Sequence, residues 1–437
     1  MVTLAQAIGG KERIIGGPFG SNLTQRDYCE KGVPVIRGGN MGGNGRWIGG
    51  PFAYVSEEKF RLDLAPNAAR PGDIIVTQRG TLGQVAIIAD DTPHPTYVVS
   101  QSQMAVNVDS RLADRDFVYY FLTSPIFTQF IEVATIQTGV PHINLGLLRD
   151  VEVDWPGKDD QRRIASILCA LDDKIELNRR MNGTLEAMAR AIFQDWFVAF
   201  GPTRAKMEGR PPYLAPDLWA LFPDRLDAEG KPEGWSTQPL SAFMSFRGGS
   251  QPPADEFVRE PRPGFIRLLQ IRDFDTDAHI TFVPSSSRLR LVDEDDICIG
   301  RYGSGTGEAK DSLGRLCRGL AGAINVALVH VTPAFNCREW LATFIGSGQF
   351  RTAISGGSAR AVQAGFRQED LDFLKATRAP NEIHAAFEEI GTLVWVQKKA
   401  AARENETLAA TRDLLLPRLM SGELRVKDAE RAVEAAA

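Results

Sequence analysis

The sequence is poor in the residues that build metal centres and disulfide frameworks. Its 437 residues include five cysteines and five histidines. No two cysteines have the C-x-x-C spacing, and no pair of histidines has the H-E-x-x-H spacing. Scattered cysteines in odd number argue against a disulfide framework and against a zinc ribbon. We therefore expect this chain to bind no metal.

Long apolar runs are also missing. No run approaches the roughly 20 residues that a membrane-spanning helix needs, and the N-terminus lacks the apolar segment and small-residue cleavage site of a secretory signal. Hydrophobic residues make up 43% and charged residues 24% of the chain, as in ordinary folded domains. We expect two or three domains from the length, a cytoplasmic location and no contact with membranes.

An overall positive charge is absent as well. The 50 lysines and arginines are outnumbered by 55 aspartates and glutamates, so the net charge is −5. This balance counts against a uniformly basic nucleic-acid-binding protein. Between Ser236 and Ala379, however, nearly all positive charge comes from arginine. Arginine suits bidentate contacts with phosphates and with guanine edges, so local charge still allows DNA binding.

The clearest positive signal is a coiled-coil repeat in the middle of the chain. Within "IASILCALDDKIELNRRMNGTLEAMA", apolar residues recur at alternating steps of four and three. The pattern predicts one helix from about Asp160 to Val198, roughly 55–60 Å long at 1.5 Å per residue. Two asparagines interrupt the apolar seam. Buried, they would penalise a wrong register or partner; the alternative is that they face water. The predicted seam residues are Ile164, Leu168, Leu171, Ile175, Asn178, Asn182, Leu185 and Ile192.

A second copy of this pattern lies 223 residues further on. The motif Asn-x-Thr-Leu-x-Ala begins at Asn182 and again at Asn405. Lys398 and Arg412 fall where the first copy has apolar residues, so we expect the second helix to be shorter or less strictly packed. The two helices can bury both seams by pairing in antiparallel fashion. The seam residues of the second helix are Phe387, Val394, Asn405, Leu408 and Leu415.

The repeat extends beyond the helices. Ile36-Arg37 resembles Ile266-Arg267 at an offset of 230, and "DIIVTQRG" from Asp73 resembles "DICIGRYG" from Asp296 at an offset of 223. Each copy of the second pair has an acidic turn, a buried strand and a glycine-rich hairpin loop. The predicted fold class is α+β, with two similar β-rich globular domains separated by two long antiparallel coiled-coil helices in an internal pseudo-two-fold repeat.

The domain boundaries follow from these patterns. The connector between the first long helix and the second globular domain is rich in proline and aromatic residues, and we expect it to be ordered. The predicted domains are 1–157 (first globular domain), 158–200 (first long helix), 201–235 (connector), 236–379 (second globular domain), 380–425 (second long helix) and 426–437 (disordered tail).

One series of residues resembles a catalytic motif. Asp296, Glu308 and Lys310 have the D…E-x-K order that binds Mg²⁺ and positions a lysine in a nuclease. The first copy of the repeat has no glutamate or lysine where the second has Glu308 and Lys310, so the series is not part of the duplicated unit. A solvated loop is the favoured interpretation. A stand-alone Mg²⁺-dependent DNA endonuclease and a scaffold that binds no DNA are the alternative functions.

The long helices carry a family resemblance. The run "DQRRIASILCALDDKIELNRRMNGTLEAMARAIFQDWFVAFGP" from Asp159, followed by "PDLWALFPDRL", resembles the central conserved region of the specificity subunits of type I restriction-modification enzymes. "LLLPRLMSGELRV" from Leu414 is similar to that family's C-terminal signature. The sequence "PNEIH" from Pro380 departs from the family's Pro-x-x-x-Gln start of the helix.

The resemblance implies a non-catalytic subunit of a multisubunit DNA methyltransferase and endonuclease. Each globular domain would be a target-recognition domain for one half of a split site in double-stranded DNA. The helices would fix the spacer and present surfaces to methylation subunits, and restriction subunits would dock on that assembly. S-adenosylmethionine, ATP and Mg²⁺ would be bound by the partner subunits and no cofactor by this chain.

We expect the base contacts to come from loops, because β-rich domains approach the major groove with hairpin tips and turns. Arginine favours guanine, whereas asparagine and glutamine favour adenine. The alternative for each residue is a surface or turn role, and for Arg37 and Arg267 a shared internal salt bridge. The candidates are Arg37, Asn40, Gln78, Arg79 and Thr81 in the first domain, and Arg267, Gln270, Arg301, Tyr302 and Ser304 in the second.

Overall fold

The computed structural model describes residues 1–42, 45–80, 82–138, 143–302, 312–357, 365–429 and 431. It divides into two compact units: a first unit formed by Met1–Arg180 and Ala401–Ala437, and a second unit formed by Met181–Ala400. Four residues that the sequence singled out lie outside the described residues: Thr81, Ser304, Glu308 and Lys310.

The first unit contains two main sheets and a two-stranded pair. One sheet has the antiparallel order β2-β10-β7-β8, and the other has the order β3-β5-β4-β9-β6, in which β4 and β9 run parallel. Strands β4 and β7 to β10 are buried at every position, because both sheet faces are covered there. The strands are β1 (Val2–Thr3), β2 (Ile14–Gly16), β3 (Tyr28–Cys29), β4 (Val33–Ile36), β5 (Ala53–Val55), β6 (Ala68–Ala69), β7 (Ile74–Thr77), β8 (Val85–Ile87), β9 (Tyr97–Val99), β10 (Gln103–Val106) and β11 (Glu152–Val153).

Helices cover the first of these sheets. Phe117 and Tyr120 of α3 share one hydrophobic core with Leu168 of α6 and with Leu415 of the second long helix. The N-terminus of α3 is capped by Asp114, whose side chain accepts a hydrogen bond from the backbone N–H of Phe117. The helices are α1 (Leu4–Ile8), α2 (Glu57–Lys59), α3 (Arg115–Thr123), α4 (Pro125–Thr138), α5 (Leu145–Arg149) and α6 (Lys158–Phe193), whose residues up to Arg180 belong to this unit.

The second unit contains the remaining elements. A π-helical turn, Gln194–Val198, continues α6. The strands are β12 (Ser236–Pro239), β13 (Met244–Gly248), β14 (Phe265–Leu269), β15 (Phe282–Pro284), β16 (Leu291–Val292), β17 (Ile297–Gly300), β18 (Leu316–Cys317), β19 (Gly322–Ile324), β20 (Leu328–Pro333) and β21 (Lys375–Arg378). The helices are α7 (Gly201–Met207), α8 (Pro216–Leu221), α9 (Arg338–Gly346), α10 (Gln349–Gly357), α11 (Asp370–Phe373) and α12 (Asn381–Met420), whose residues from Ala401 onward belong to the first unit.

The two units share one topology. The sheet order β13-β20-β17-β18 repeats β2-β10-β7-β8, and β15-β14-β19-β16 repeats β5-β4-β9-β6 with the same parallel central pair. An isolated bridge between Val258 and Phe282 lies where the first unit has β3. The predicted α+β fold with two similar β-rich domains and two long helices is therefore confirmed.

The strand register corrects one part of the predicted repeat. Ile36 of β4 pairs with Val99 of β9, and the corresponding pair in the second unit is Leu269 with Ile324. Ile36 therefore matches Leu269, which follows it by 233 residues, and the offset of 230 was wrong by three residues. Strand β14 is one residue longer than β4, and the Ile-Arg dipeptide occurs inside it rather than at its end. The structural counterpart of Arg37 is thus Gln270.

The long helices run antiparallel within each unit. In the first unit, Asn178 donates to Glu404 (2.6 Å) and Asn405 (3.0 Å), and the earlier Asp172 accepts from the later Arg412 (2.7 Å). In the second unit, Lys398 donates to Glu186. As the residue numbers of these contacts increase along α6, the residue numbers of their partners on α12 decrease, as antiparallel pairing requires. The predicted pairing is confirmed in both units.

The two long helices are of almost equal length. Helix α12 has 40 residues, and α6 has 36 and is continued by the π-helical turn of five residues. Lys398 and Arg412, which replace apolar residues of the first copy, form ion pairs with Glu186 and Asp172 instead of breaking the contact. The seam residues are buried or half-buried, and Asn178 is only 2% exposed, so Asn178 does not face water.

The connector and the C-terminal segment are ordered where the structure describes them. Phe222 and Trp235 of the connector belong to the core of the second unit. Residues 426–429 are helical, and the buried Ala429 packs in the core of the first unit. The ordered chain therefore continues beyond residue 426, where the sequence predicted a disordered tail.

Candidate nucleic-acid interface

In the first unit several strands end side by side. Parallel strands β4 and β9 finish at the same edge, where the backbone N–H of Ser100 donates to the carbonyl of Ile36 (3.0 Å). Strand β7 finishes next to them, and the N–H of Gln78 donates to the carbonyl of Ser102 (2.7 Å). Arg37, Gln78 and Arg79 thus leave the sheets from one place, which we call the first strand-end edge.

The first strand-end edge is open and rich in hydrogen-bond donors. Arg37 and Arg79 are exposed, and the Arg37 guanidinium lies 5.9 Å from the centroid of the Tyr28 ring. A cavity of about 380 Å³ adjoins this edge and is lined by Gln78, Arg79 and Gln101. Guanidinium and amide groups of this kind form bidentate hydrogen bonds with the major-groove edges of bases.

The second unit repeats this arrangement. The N–H of Asn325 donates to the carbonyl of Leu269 (3.1 Å), and the N–H of Arg301 donates to the carbonyl of Ala327 (2.8 Å). Gln270, Arg301 and Tyr302 leave the sheets here, and the Arg301 guanidinium lies 5.2 Å from the Tyr302 ring centroid. We call this place the second strand-end edge.

Matched glycines show how closely the two edges agree. A Cβ atom on Gly17 would lie 1.9 Å from the carbonyl oxygen of Ser100, and one on Gly249 would lie 2.3 Å from that of Asn325. In both units, therefore, only glycine fits at the position where the chain leaves the first strand of the antiparallel sheet. The same backbone path brings a loop against each edge.

Two of the predicted contact residues are engaged within the protein. Asn40 is 4% exposed; its amide nitrogen donates to the carbonyls of Gly49 and Pro51 (both 3.1 Å), and its oxygen accepts from the N–H of Arg37 (3.0 Å). Arg267 lies inside β14 and pairs with Asp277 at 2.9 Å. Among the described residues, an internal salt bridge therefore forms at Arg267 and not at Arg37. The side chains of Asn40 and Arg267 are thus occupied by contacts within the protein.

The sequence reasoning missed three exposed residues near the edges. Phe19 is 77% exposed on the loop that lines the cavity of the first edge. Arg247 is exposed near the end of β13, and Arg272 is exposed on the 3₁₀ turn that follows Gln270. An aromatic residue enclosed by "GGP" and "G" is a turn signal that could have identified Phe19, whereas the arginines carry no local signal.

Buried ionic contacts hold the β-rich part of the first unit on the helices. Arg46 is 8% exposed and donates to Asp173 on α6 (2.8 Å), while its guanidinium lies 4.7 Å from the Trp47 ring centroid. Tyr120 of α3 donates to Asp172 (2.7 Å), and burial raises the pKa of Tyr120 so that it keeps its proton. These contacts fix the orientation of the strands against α6.

The second unit uses other residues for the same purpose. Arg318 and Glu339, each 5% exposed, form a bidentate ion pair with both distances at 2.7 Å. The Arg318 guanidinium lies 3.9 Å from the Trp395 ring centroid on α12. Glu388 of α12 accepts from the backbone N–H groups of Glu339 (2.9 Å) and Trp340 (2.8 Å), and burial raises the pKa of Glu388.

The described residues offer no catalytic constellation. Asp296 lies 3.3 Å from His330 and accepts from the N–H of Asp293, and the other two members of the D…E-x-K series lie outside the described residues. Within the described ranges, no group of three or more His, Cys, Asp and Glu residues could hold a metal ion. Burial raises the pKa of the Cys298 and Cys317 thiols to about 12, which leaves them unreactive.

Among the helices of the described chain, none combines the length and the apolar composition that a bilayer span requires.

Comparisons with known proteins agree with the geometry. A family model described as the type I restriction modification DNA specificity domain matches residues 22–187. The chain is 32% identical over 157 residues to the type I restriction enzyme HindI specificity subunit of Haemophilus influenzae, which covers 35% of this chain and 34% of that protein. It is 21% identical over 392 residues to the MjaIX specificity subunit of Methanocaldococcus jannaschii, with 86% of this chain and 84% of that protein covered.

A solved structure supports the fold. The S subunit of a type I restriction-modification system from M. genitalium superposes with a TM-score of 0.50 at 16% identity, covering 93% of this chain and 92% of that one. This likeness concerns the fold, and the sequence matches concern the family. Together with the duplicated topology, these findings show that residues 22–187 match the type I restriction modification DNA specificity domain and that the chain is similar to specificity subunits of that class.

Proposed function

We propose that this chain is the sequence-specific DNA-binding subunit of a type I restriction-modification complex, in which each unit recognises one half of a bipartite double-stranded site. The observation that carries the proposal is the duplicated strand-end edge. Both edges present arginine and an amide side chain from the same register positions. Two similar surfaces in one chain suit a target with two separated halves.

We further propose that the paired helices fix the spacer between the half-sites. The helices are rigid elements of 36 and 40 residues, and polar contacts inside their seam, such as Asn178 with Asn405, favour one register over others. A fixed register gives a fixed distance between the two DNA-binding surfaces.

Exposed apolar side chains on both helices support docking of methylation subunits. A large apolar side chain exposed to water is costly, and several on paired helices suit the apolar face of a partner helix. Restriction subunits would dock on that assembly. S-adenosylmethionine, ATP and Mg²⁺ belong to the partners in this proposal, and the chain itself performs no chemistry. The exposed residues are Leu177 and Leu414 in the first unit, and Met181, Met188, Leu393 and Val396 in the second.

Selection from random duplex DNA tests the proposal. The full chain, supplied with a methylation subunit, should enrich a two-part motif with a constant spacer. Arg79→Ala and Arg301→Ala should each relax base preference in one half-site only, by about 1–3 kcal/mol per lost bidentate contact. Equal loss on all sequences would indicate phosphate contacts instead.

The rival functions give different results in the same experiments. Cleavage of a plasmid by the purified chain with Mg²⁺ alone would establish the endonuclease. Absence of any enriched two-part motif would favour the scaffold.

Deleting one heptad from both helices tests the spacer. The deletion removes roughly 10 Å of helix at 1.5 Å per residue, equivalent to about three base pairs at 3.4 Å each. The selected spacer should shorten accordingly while both half-site sequences stay the same. An unchanged spacer would reject the role of the helices.

A further inference from the structure

The corrected register identifies two pairs of equivalent positions at the strand-end edges. The first pair follows β4 and β14 and consists of Arg37 and Gln270. The second pair follows β7 and β17 and consists of Gln78 and Arg301. The same two side-chain types therefore stand at both edges, but their places are exchanged.

The backbone geometry at the first pair is the same in both units. Arg37 has φ −124° and ψ 170°, and Gln270 has φ −120° and ψ 159°; each precedes a 3₁₀ turn. The N–H of Arg37 donates to the side chain of Asn40 (3.0 Å), and the N–H of Gln270 donates to that of Asp273 (2.8 Å). Two side chains that precede such similar turns leave the backbone at equivalent positions.

The second pair is equally well matched. The N–H of Gln78 donates to Ser102 (2.7 Å), and the N–H of Arg301 donates to Ala327 (2.8 Å). Each acceptor carbonyl lies two residues beyond the residue whose N–H bonds the end of the parallel strand, Ser100 in one unit and Asn325 in the other. The hydrogen-bond pattern across the whole edge is thus the same.

All four side chains have exposed surface for an external ligand. Neither Arg37 nor Arg301 forms an ion pair within the described part of the chain, and the two glutamines carry no charge. Arg37 is exposed, and Gln78, Gln270 and Arg301 are half-buried, so part of each side chain reaches solvent. Partial burial of the stems limits the conformations of the terminal groups, as direct base recognition requires.

We propose that Arg37 with Gln78 and Gln270 with Arg301 are specificity-determining pairs that recognise a guanine and an adenine in opposite order in the two half-sites. Arginine makes bidentate hydrogen bonds with guanine O6 and N7, and glutamine makes them with adenine N6 and N7. The position after β4 or β14 then selects guanine in the first unit and adenine in the second. The position after β7 or β17 selects adenine in the first unit and guanine in the second. This inference rests on the proposed function.

Exchange variants test the inference without changing the charge. Arg37→Gln with Gln78→Arg gives the first edge the arrangement of the second, and Gln270→Arg with Arg301→Gln does the reverse. Selection from random duplex DNA, with the methylation subunit supplied, should exchange guanine and adenine at two positions of one half-site. The other half-site and the spacer should stay as in the unaltered protein.

Single variants and matched controls separate base recognition from charge and from folding. Arg37→Gln should reduce guanine preference at one position by about 5- to 150-fold. Arg61→Gln and Arg262→Gln remove the same charge from exposed residues, Arg61 after β5 and Arg262 before β14, away from the strand-end edges, and should leave every base preference unchanged. Thermal unfolding at the same temperature as the unaltered chain shows that each variant is folded.

The outcomes are distinct. The inference would be overturned if the folded exchange variants selected the same bipartite motif as the unaltered chain. It would also be overturned if they lost binding equally for all sequences. Both results would leave the proposed function intact. An unaltered chain that selects no bipartite motif would reject the proposed function and the inference with it.

Discussion

Gln161 and His384 occupy the same position, four residues into α6 and α12, and the two units use it differently. In the first unit Gln161 accepts from the N–H of Asp114 and donates to the carbonyl of Pro156, both at 2.9 Å. In the second unit His384 is fully buried, and neither ring nitrogen has a partner among the described residues. Its ring packs 5.0 Å from Phe335 and 5.3 Å from Phe197. One copy stabilises the helix start with hydrogen bonds and the other with aromatic packing.

The same contrast extends to the helix that packs beside this position. Helix α3 is capped by Asp114, the residue that precedes it. Its counterpart before α9 is Cys337, which makes no capping hydrogen bond, and Glu388 of α12 supplies the carboxylate instead. In both units the N-terminus of this helix has a carboxylate acceptor for its free N–H groups. The residue that supplies the carboxylate differs between the two units. Equivalent topology does not imply equivalent contacts.

Trp340→Ala should have the largest effect on this comparison. Trp340 is 1% exposed and stacks on Phe243 at 4.8 Å and on Phe344 at 5.2 Å, so the second unit depends on its ring. Loss of the ring should lower the free energy of unfolding by about 3–5 kcal/mol, measured by denaturant titration. Phe373→Ala removes an aromatic ring that is 82% exposed and should have little effect. A change below 1 kcal/mol for Trp340→Ala would contradict the dependence on aromatic packing.

His384 should make the second unit sensitive to acid. Burial, together with the positive charge of Arg378, lowers the pKa of His384 to about 4. Between the unfolded pKa near 6.5 and this value, the unfolded chain binds a proton that the folded chain does not, so stability falls as the pH falls through this window. The full shift corresponds to roughly 3 kcal/mol.

Substitution of the histidine isolates this effect from other titrating groups. Urea unfolding of the unaltered chain and of His384→Leu at pH 7 and near pH 4 should show a smaller loss of stability in the variant. Gln161→Leu is the matched control in the first unit, since it removes no titrating group. Equal pH dependence in the unaltered chain and in His384→Leu would show that His384 does not lower the stability of the folded chain in acid.

Much of the fold was predictable because it depends on periodicity. The heptad pattern predicted α6 and α12, and their antiparallel pairing follows from two seams in one chain. The register of β14 was not predictable from the Ile-Arg dipeptide, because backbone hydrogen bonds to β19 determine it. The ion pairs of Lys398 and Arg412 also escaped prediction, since their partners lie more than 200 residues away.

The candidate site was predictable only in part. Arg79 and Arg301 lie at strand ends because a glycine-rich loop follows a buried strand in each copy, and the sequence shows that pattern. Asn40 has the residue type of an adenine contact, but its amide is used by two loop carbonyls. Such a tertiary hydrogen bond leaves no local signal. The exchange of arginine and glutamine between the edges became visible only with the strand register.

Glu388→Ala should affect stability more than Asp114→Ala. Removal of the Glu388 carboxylate leaves two buried N–H groups without their acceptor, which should lower the free energy of unfolding by about 2 kcal/mol. Asp114→Ala removes one local cap and should cost about 1 kcal/mol. Glu389→Ala, one residue beyond Glu388 on an exposed position, is the control. Urea titration of the three variants measures the order, and equal losses for Glu388→Ala and Glu389→Ala would show that the distant carboxylate is no cap.

The smallest expected effect concerns the seam of the paired helices. Asn178 is buried, whereas its counterpart 223 residues later is the buried Ala401. The hydrogen bond that Asn178 donates to Glu404 at 2.6 Å is the largest single cause that holds the pKa of Glu404 below its ordinary value, and the hydrogen bond and charge of Lys174 lower it further. Asn178→Leu loses this bond but buries more apolar surface, so the free energy of unfolding should change by no more than about 1 kcal/mol.

The carboxylate gives the more direct readout of that substitution. In Asn178→Leu the pKa of Glu404 should rise toward its ordinary value, because the group that stabilised the charged form is gone. Carbon-detected NMR titration of the Glu404 carboxyl group measures this shift, and Lys174→Met, which removes the other stabilising partner, should also raise this pKa. An unchanged pKa of Glu404 in Asn178→Leu would show that the Asn178 amide does not stabilise this carboxylate. The hydrogen bond to Asn405 would then be the contact that accounts for the buried Asn178 amide in the first unit.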